Sequence, residues 1–377
     1  MLKHSNNTYS FAFIHLNNLK HNLKLIRSRM ARKTKILIPV KSNAYGCGII
    51  PVSKYLEKTD IDYLGVAFPF EGILLRKNGI KKPVLIFSEI IYEDDYEECI
   101  RYRLTPTVFT GTSLMKFDRI GRKSNKKIKV HINIDTGMGR SGVPFNEGFS
   151  IIDLAVSMKH IEVEGIYTHL SSADENNKRF TLSQLNRFQE VVCYIEEKNI
   201  KVPLIHVLNS AGIINYPEYS YSMVRPGIMF YGYFPDNNIR KGVKIKPCID
   251  FRSKIIFTKT VKKETPVSYG HTYYSQKKEV IATVGTGYGD GMNRLLSNRG
   301  AVLYKDRKCV IRGRVCMDQF MIDISPVKNF KTGDLVTIFG SDRTKSIRLE
   351  EVASSIGTIP YEVLCLLGER VQRIYLS

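Results

Sequence analysis

Short apolar runs alternate with amphipathic stretches through the first two-thirds of the chain. The amphipathic stretches, such as 68–80 and 182–200, have apolar residues at helical spacing and end near a glycine or asparagine, which favours a helix stop. The apolar runs between them are short enough to be buried strands. We predict eight strands: Lys35–Val40, Tyr63–Ala67, Pro83–Ser88, Leu104–Phe109, Lys129–Ile134, Val163–Leu170, Leu204–Asn209 and Gly227–Gly232.

Regular alternation of strands and helices predicts parallel strands joined by crossover helices. Eight such units are the number in a TIM (β/α)8 barrel, and a doubly wound open sheet is the alternative. After about residue 240 the pattern becomes β-rich, with glycine, proline and charged turns. We therefore predict an α/β protein with a TIM-barrel domain over 10–240 and a mostly β C-terminal domain over 241–377. The first few N-terminal residues are expected to join the C-terminal domain.

Composition places the chain among ordinary soluble proteins. Of its 377 residues, 43% are hydrophobic and 25% are charged, and no apolar run is long enough to span a bilayer. The N-terminal apolar stretch is too short and mixed for a signal peptide, so we expect a cytoplasmic protein. The seven cysteines are scattered and never spaced as CxxC, which argues against a disulfide framework and against a metal site.

The net charge of +21 raises the alternative of a nucleic-acid-binding protein. The basic clusters, however, are dispersed along the chain in turn-like stretches such as "KSNKKIK" and "KTVKK". This distribution favours a lysine-rich solvated surface, which also attracts anionic small molecules.

Several polar side chains are expected at one rim, because active sites of TIM barrels lie at the C-terminal ends of the strands. They are Lys41 after the first strand, Arg140 after the fifth, His169 at the end of the sixth, Asn209 and Ser210 at the end of the seventh, and Arg225 and Gly227 just before the eighth. A lysine desolvated near cations attacks carbonyl groups. Serine and glycine at the last two strands match the usual phosphate-binding corner. A reactive lysine beside a phosphate site is typical of pyridoxal 5′-phosphate held as a Schiff base.

Nine motifs, all in the family's order, resemble those of the alanine racemase family. They are "VKSNAYGCG", "DTGMGRSGV", "EGIYTHLSSADE", "NSAGI", "MVRPGIMFYG", "SYGHTY", "GYGDGMNR", "GRVCMDQFMIDI" and "PYEVLC". The resemblance covers essentially the whole chain. It implies a TIM barrel followed by a β domain, and a head-to-tail homodimer whose active sites are shared between subunits. It also implies pyridoxal 5′-phosphate as cofactor and interconversion of L- and D-alanine, supplying D-alanine for peptidoglycan.

The resemblance also implies residue roles. Lys41 and the partner's Tyr269 would be the two acid–base groups on opposite faces of the α-carbon. His169 would connect that tyrosine to Arg225, which would face the pyridine nitrogen and, because arginine stays protonated, would discourage protonation there. The other implied cofactor-binding residues are Tyr45, Asn209, Ser210, Gly227, Ile228 and Tyr361. The implied substrate-binding residues are Arg140, Met317 through its backbone N–H, and Tyr288.

Two features leave alternatives open. Asn133 stands where many family members have a lysine that becomes carbamylated, so we predict no carbamate here and expect Asn133 or a bound anion to position Arg140. A serine or broad-specificity racemase of the same family is the alternative activity, although Tyr361 beside the side-chain pocket favours alanine. A noncatalytic cofactor carrier is a third possibility, against which the pairing of Lys41 with Tyr269 argues.

Overall fold

The computed structural model describes residues 8–235 and 242–377. Residues 1–7 and the predicted boundary between 240 and 241 lie outside the described residues, so the division into two domains stays a prediction. Within the described ranges the helices are α1 Leu16–Ser28, α2 Lys41–Tyr45, α3 Ile49–Leu56, α4 Pro69–Lys77, α5 Glu93–Arg101, α6 Gly111–Ser124, α7 Gly148–Ser157, α8 Arg179–Glu197, α9 Ser210–Asn215, α10 Leu349–Ser355 and α11 Pro360–Cys365. None of them is both long enough and apolar enough to cross a bilayer.

The described strands form two large sheets and one small ribbon. They are β1 Ser10–His15, β2 Lys35–Pro39, β3 Tyr63–Val66, β4 Val84–Ile86, β5 Thr105–Val108, β6 Ile128–Asp135, β7 Val143–Pro144, β8 Ile161–Tyr167, β9 Leu204–His206, β10 Met223–Val224, β11 Ile249–Val261, β12 Pro266–Val267, β13 Tyr273–Tyr274, β14 Glu279–Val284, β15 Ala301–Tyr304, β16 Arg307–Val310, β17 Phe320–Asp323, β18 Leu335–Asp342, β19 Lys345–Ile347 and β20 Gln372–Leu376.

The first large sheet is a nearly closed barrel of eight parallel strands. Its order is β10-β2-β3-β4-β5-β6-β8-β9, with the short β7 attached to β6. Backbone hydrogen bonds bring the two ends together, since Ser222 N–H donates to Ile205 O at 3.1 Å and Arg225 N–H donates to Leu208 O at 2.9 Å. Leu37, Tyr63, Leu85, Leu204 and Met223 pack together as a separate core cluster inside it. The TIM-barrel prediction is confirmed, and the doubly wound open sheet is wrong.

The eighth strand differs from its predicted position. Its residues are Met223–Val224, whereas 228–232 form a turn in which Phe230 N–H donates to Gly227 O at 2.9 Å. The apolar run is buried because the turn packs into the core, and burial alone does not distinguish a strand from a buried turn. Arg225 therefore follows the eighth strand, so that it lies at the C-terminal rim like the other candidates.

The second large sheet contains the β-rich part of the chain together with β1, the first described strand. Its central order is β16-β15-β18-β11-β1-β20, with β14, β17 and β19 attached. β1 pairs antiparallel with β11 and parallel with β20, so Phe11 lies between Arg252 and Gln372. The mostly β character predicted for this part of the chain is confirmed. β1 belongs to this sheet, and the barrel begins with the helix that follows it.

Candidate active site

A cavity of about 520 Å³ opens at the C-terminal ends of the barrel strands. Nine of the residues predicted to form the site line it: Lys41, Tyr45, Arg140, His169, Asn209, Ser210, Arg225, Gly227 and Tyr361. Ile228 follows Gly227 with its side chain fully buried in the core, so only its backbone is available at this corner. The cavity therefore brings residues at the ends of the barrel strands together with Tyr361 of α11, which lies more than 300 positions after Lys41.

The segment that follows β2 is a left-handed helical turn. Ser42, Asn43, Ala44 and Tyr45 all have φ between 51° and 54°, a conformation that costs L-residues roughly 1–2 kcal/mol each. Glu71 on α4 stabilises the turn, since its Oε1 accepts the Ser42 N–H at 2.9 Å and its Oε2 accepts the Ala67 N–H at 2.7 Å. This turn fixes the backbone from which the Lys41 side chain extends into the cavity.

The Lys41 amine lies in a surrounding that favours its uncharged form. Burial lowers its pKa, and the nearby Arg140 guanidinium lowers it further, while Glu71 and Cys365 act in the opposite direction. The amine lies 5.9 Å from the centroid of the Phe87 ring, which limits its hydration. An amine with a lowered pKa is a better nucleophile and a better base near neutral pH.

Arg225 is the most deeply enclosed charge at the site. Its Nη1 donates to His206 Nδ1 at 2.6 Å and to His206 O at 3.0 Å, and its Nη2 donates to Thr168 O at 2.6 Å and to Val207 O at 3.1 Å. Burial lowers its pKa to about 10, so it stays protonated at neutral pH. The guanidinium is thus a fixed cation at the base of the cavity.

His169 receives a hydrogen bond from this cation. Arg225 Nη2 lies 3.3 Å from His169 Nδ1, and because a guanidinium only donates, Nδ1 must accept. Burial, followed by the charges of Arg225, Arg140 and Lys41, holds the pKa of His169 well below its usual range. His169 is therefore neutral and carries its proton on Nε2.

Tyr45, Ser210 and Gly227 form a small polar cradle at one end of the cavity. A Cβ atom added to Gly227 would lie 3.0 Å from Tyr45 Oη and 3.8 Å from Ser210 Oγ, so the glycine leaves a space between the two hydroxyl groups. In the described part of the chain, the N–H groups of Gly227 and Ile228 have no hydrogen-bond acceptor. Two hydroxyls and two unpaired N–H groups around one space are suited to an anion such as phosphate.

Asn209 supports this cradle from below. Its side chain accepts the Gly212 N–H at 2.9 Å and donates to Leu170 O at 3.2 Å, so it caps the short helix α9 that begins with Ser210. The Tyr45 ring in turn stacks on Tyr231, with ring centroids 4.7 Å apart. Both contacts fix the positions of the two hydroxyl groups.

Arg140 extends from the loop after β6 and lines the opposite side of the cavity. Asn133 does not bond to it in the described ranges. Instead, Asn133 Nδ2 donates to the carbonyl of Ser141 at 3.3 Å, while its buried Oδ1 has no partner there. Asn133 therefore contacts the backbone of the residue that follows Arg140, and not the Arg140 side chain.

Tyr269, Tyr288 and Met317 do not line the cavity of their own chain. Their exposed fractions are 71%, 44% and 55%. Backbone bonds join their segments, since Tyr288 N–H donates to Cys316 O at 3.0 Å and Gly289 N–H donates to Met317 O at 2.9 Å, while Ser268 Oγ donates to Arg314 O at 2.7 Å. The three predicted residues thus share one exposed surface, formed by the loop of the small β12–β13 ribbon and by loops of the second sheet.

The sequence analysis missed two aromatic residues of the cavity, Tyr167 and Phe87. Tyr167 stacks on His206 with centroids 4.7 Å apart, and the Arg225 Cζ lies 5.0 Å from its ring centroid. Because side chains along a strand alternate between faces, Tyr167 lies on the same face as His169. This alternation of side chains along the strand was the sequence signal that could have identified Tyr167.

Comparisons with known proteins cover almost the whole chain. Residues 14–235 match the family model for the alanine racemase N-terminal domain, and residues 248–375 match the model for its C-terminal domain. Alanine racemase from Halothermothrix orenii is 38% identical over 97% of this chain and 96% of its own, and that from Methanococcus maripaludis is 38% identical over 97% and 98%. The solved structure of alanine racemase from Clostridium difficile superposes with a TM-score of 0.93 at 36% identity, covering 99% of this chain and 97% of its own.

Proposed function

Because the chain belongs to the alanine racemase family and interconverts L-alanine and D-alanine, we propose that its cofactor is pyridoxal 5′-phosphate and that Lys41 and the partner's Tyr269 are its two acid–base groups. The observation that carries this proposal is the Lys41 amine, with its lowered pKa, in a cavity that also contains the anion cradle and Arg225. A cavity of about 520 Å³ has the volume usual for a small cofactor and substrate together.

The residues present fit this cofactor. Its phosphate would be held by the hydroxyls of Tyr45, Ser210 and Tyr361 and by the N–H groups of Gly227 and Ile228, and Lys41 would hold its aldehyde carbon. Arg225 would donate to the pyridine nitrogen and, being protonated, could not accept a proton from it. When bound, the cofactor supplies a conjugated ring that stabilises negative charge at the substrate α-carbon.

Racemisation requires a proton-transfer group on each face of the α-carbon. Lys41 supplies one face from within the chain. The partner's Tyr269 would supply the other, a role supported by the exposure of Tyr269 and by its absence from the cavity of its own chain. His169 would donate its Nε2 proton to the phenolate of that tyrosine, since Arg225 occupies Nδ1. In this arrangement Arg225 of one subunit acts, through His169, on the protonation of the partner's Tyr269.

The substrate carboxylate would be bound by Arg140 and by the N–H of the partner's Met317. The N–H of Met317 has no acceptor among residues 8–235 and 242–377, which leaves it available. The partner's Tyr288 would narrow the entrance, because its segment is bonded to that of Met317. This arrangement requires a homodimer, which accounts for the exposed surface shared by Tyr269, Tyr288 and Met317.

Alanine is expected to be preferred over serine by at least about tenfold in kcat/KM, since a pocket closed by an aromatic wall gives a serine hydroxyl no partner. Tyr361 forms that wall, and burial followed by Tyr45 raises its pKa, so it stays neutral. The measurement is kcat/KM for L-alanine and L-serine in wild type and in Tyr361→Ala. Equal values for the two substrates in the wild type would contradict the alanine preference.

Gly227→Ala is expected to raise the Kd for pyridoxal 5′-phosphate about tenfold, because the new Cβ would occupy the space between the Tyr45 and Ser210 hydroxyls. The measurement is fluorescence titration of the apoprotein with the cofactor. Gly111→Ala, at the start of α6 and outside the cavity, is the matched control and should leave the Kd unchanged. If the Kd for Gly227→Ala were equal to that of the control, the assignment of this cradle as the phosphate site would be wrong.

We propose further that the reaction takes place in the cytoplasm and supplies D-alanine for peptidoglycan. The proposal is supported by the family to which the chain belongs. Expression of the chain in a bacterial strain that requires D-alanine should restore growth without it. Failure of the wild-type chain to restore growth, with normal racemase activity in the lysate, would contradict this role.

A further inference from the structure

The cation at Arg225 has no carboxylate partner among the described residues. Its acceptors are the backbone carbonyls of Thr168, His206 and Val207 and the two imidazoles of His169 and His206. A buried charge normally requires an opposite charge or a set of oriented dipoles. The orientation of the His206 ring therefore determines how well this cation is stabilised.

Hydrogen bonds fix the proton on His206. Arg225 Nη1 only donates, so His206 Nδ1 accepts at 2.6 Å and the His206 proton lies on Nε2. That Nε2 lies 3.0 Å from His131 Nδ1, which must then accept. Burial, followed by the charge of Arg225, holds the pKa of His206 well below its usual range, so the ring is neutral. His131 accordingly carries its own proton on Nε2.

The His131 proton points to Glu164. His131 Nε2 lies 3.5 Å from Glu164 Oε2, which is long for a hydrogen bond, but both atoms are buried and neither makes a well-formed hydrogen bond elsewhere in the described ranges. The Tyr63 phenol also lies near this carboxylate, and burial followed by Glu164 raises the pKa of Tyr63. Burial raises the pKa of Glu164, yet hydrogen bonds from His131 and Lys129 outweigh it and bring the pKa to about 2. The chain of donors thus begins at a cation and ends at a carboxylate.

Two backbone features place Glu164 and His131 together. Val130 pairs with Val163 but His131 pairs with Gly165, so Glu164 is the extra residue of a β-bulge, a device that re-aims a side chain. A Cβ at Gly165 would lie 2.4 Å from the His131 ring, so only glycine leaves room for the imidazole. Both features bring the two side chains together, the bulge by turning Glu164 and the glycine by leaving space for the His131 ring.

We propose that Glu164 is a positioning residue for Arg225, acting through His131 and His206. The carboxylate fixes the proton of His131 on Nε2, so that His131 Nδ1 accepts a hydrogen bond. The proton of His206 is thereby fixed on its Nε2, and His206 Nδ1 presents a lone pair to the guanidinium of Arg225. Without the carboxylate, His131 can adopt the other tautomer, with its proton on Nδ1. His206 would then turn an N–H toward Arg225, and the cation would shift within the cavity. The proposal depends on the proposed function at one point, which is the contact of Arg225 with the cofactor.

The test compares Glu164→Gln with Glu162→Gln in the holoenzyme. Both carboxylates lie on β8 and both lie near Lys129, at 2.8 and 3.8 Å, but only Glu164 contacts His131. ¹⁵N-histidine spectra report which ring nitrogen carries the proton, and the signals of His131 and His206 are assigned by replacing each with glutamine. We expect Nε2–H at both rings in the wild type and in Glu162→Gln.

In Glu164→Gln, Lys129 keeps the amide oxygen at the position of Oε1, so the amide N–H group faces His131 Nε2 in place of Oε2. We therefore expect an Nδ1–H form at His131 and a kcat lowered about tenfold with KM for alanine nearly unchanged. A purely structural role would change Tm in both variants and leave the spectra alike. Nδ1–H at His206 in the wild type would overturn the proposal even if no variant folds. The proposal would also be overturned if the histidine spectra of Glu164→Gln, or its kcat, were equal to those of Glu162→Gln. The spectra require no turnover, so a missing racemase activity bears on the proposed function alone.

Discussion

Replacing Lys41 with alanine is expected to lower kcat for alanine racemisation by at least about 10³-fold in both directions. The change removes the group that would hold the cofactor and also one of the two acid–base groups. Lys41 is the lysine that lines the cavity, and its lowered pKa has a local cause in burial and in the nearby Arg140. The measurement is the rate of conversion of each enantiomer, followed by circular dichroism at saturating substrate.

Lys54→Ala is the matched control for this substitution. Lys54 is an exposed lysine on α3, the helix that follows the left-handed turn, so its loss changes the charge of the same region without reaching the cavity. The control should retain wild-type activity and cofactor absorbance. If Lys41→Ala kept even a tenth of the wild-type rate in either direction, the acid–base role of Lys41 would be wrong.

Mixed dimers of Lys41→Ala and Tyr269→Ala chains are expected to have about half of the wild-type activity, although each variant alone is nearly inactive. A mixed dimer has one site with both residues intact and one site with neither. Half of the sites in the purified mixed dimer are therefore intact. The gain is expected because Tyr269 is exposed and lies outside the cavity of its own chain.

The experiment uses co-expression of the two chains with different affinity tags, followed by two-step purification of the mixed dimer. Tyr274→Ala replaces another exposed tyrosine near Tyr269 and should be active alone. No recovery in a verified mixed dimer would mean that Tyr269 acts within its own subunit or not at all. Full activity of Tyr269→Ala alone would exclude it as the second acid–base group.

The barrel was predictable because its signals are local and repeated. Seven of the eight strands lie where the apolar runs predicted them, with differences of a few residues at their ends. The eighth was misplaced because a buried turn and a buried strand have the same apolar pattern, and Met223–Val224 is too short to show a pattern of its own. The pairing of β1 with β11 and β20 depends on residues more than 200 positions away, which periodicity does not report.

The lining residues of the cavity were predictable where they directly follow a barrel strand. Lys41, Arg140 and His169 follow from the rule that active sites lie at the C-terminal ends of barrel strands. Arg225 precedes the predicted eighth strand, and it lies at this rim because the strand is in fact Met223–Val224. The positions of Tyr269, Tyr288 and Met317 follow from the resemblance and not from the pattern. The contact of Glu164 with His131 depends on a β-bulge, a shift of one residue between neighbouring strands that no single-chain pattern contains.

The position of β1 has a consequence for synthesis of the chain on the ribosome. β1 emerges first, yet its neighbours in the sheet are β11 and, at Phe11, Gln372 of β20. At about 5–20 residues per second, roughly 20–70 s separate the appearance of β1 from that of β20. During this time the whole barrel can form while β1 has an unpaired edge. The second sheet is therefore completed only after β20 has been synthesised, and the nascent chain must keep β1 from pairing with other chains until then.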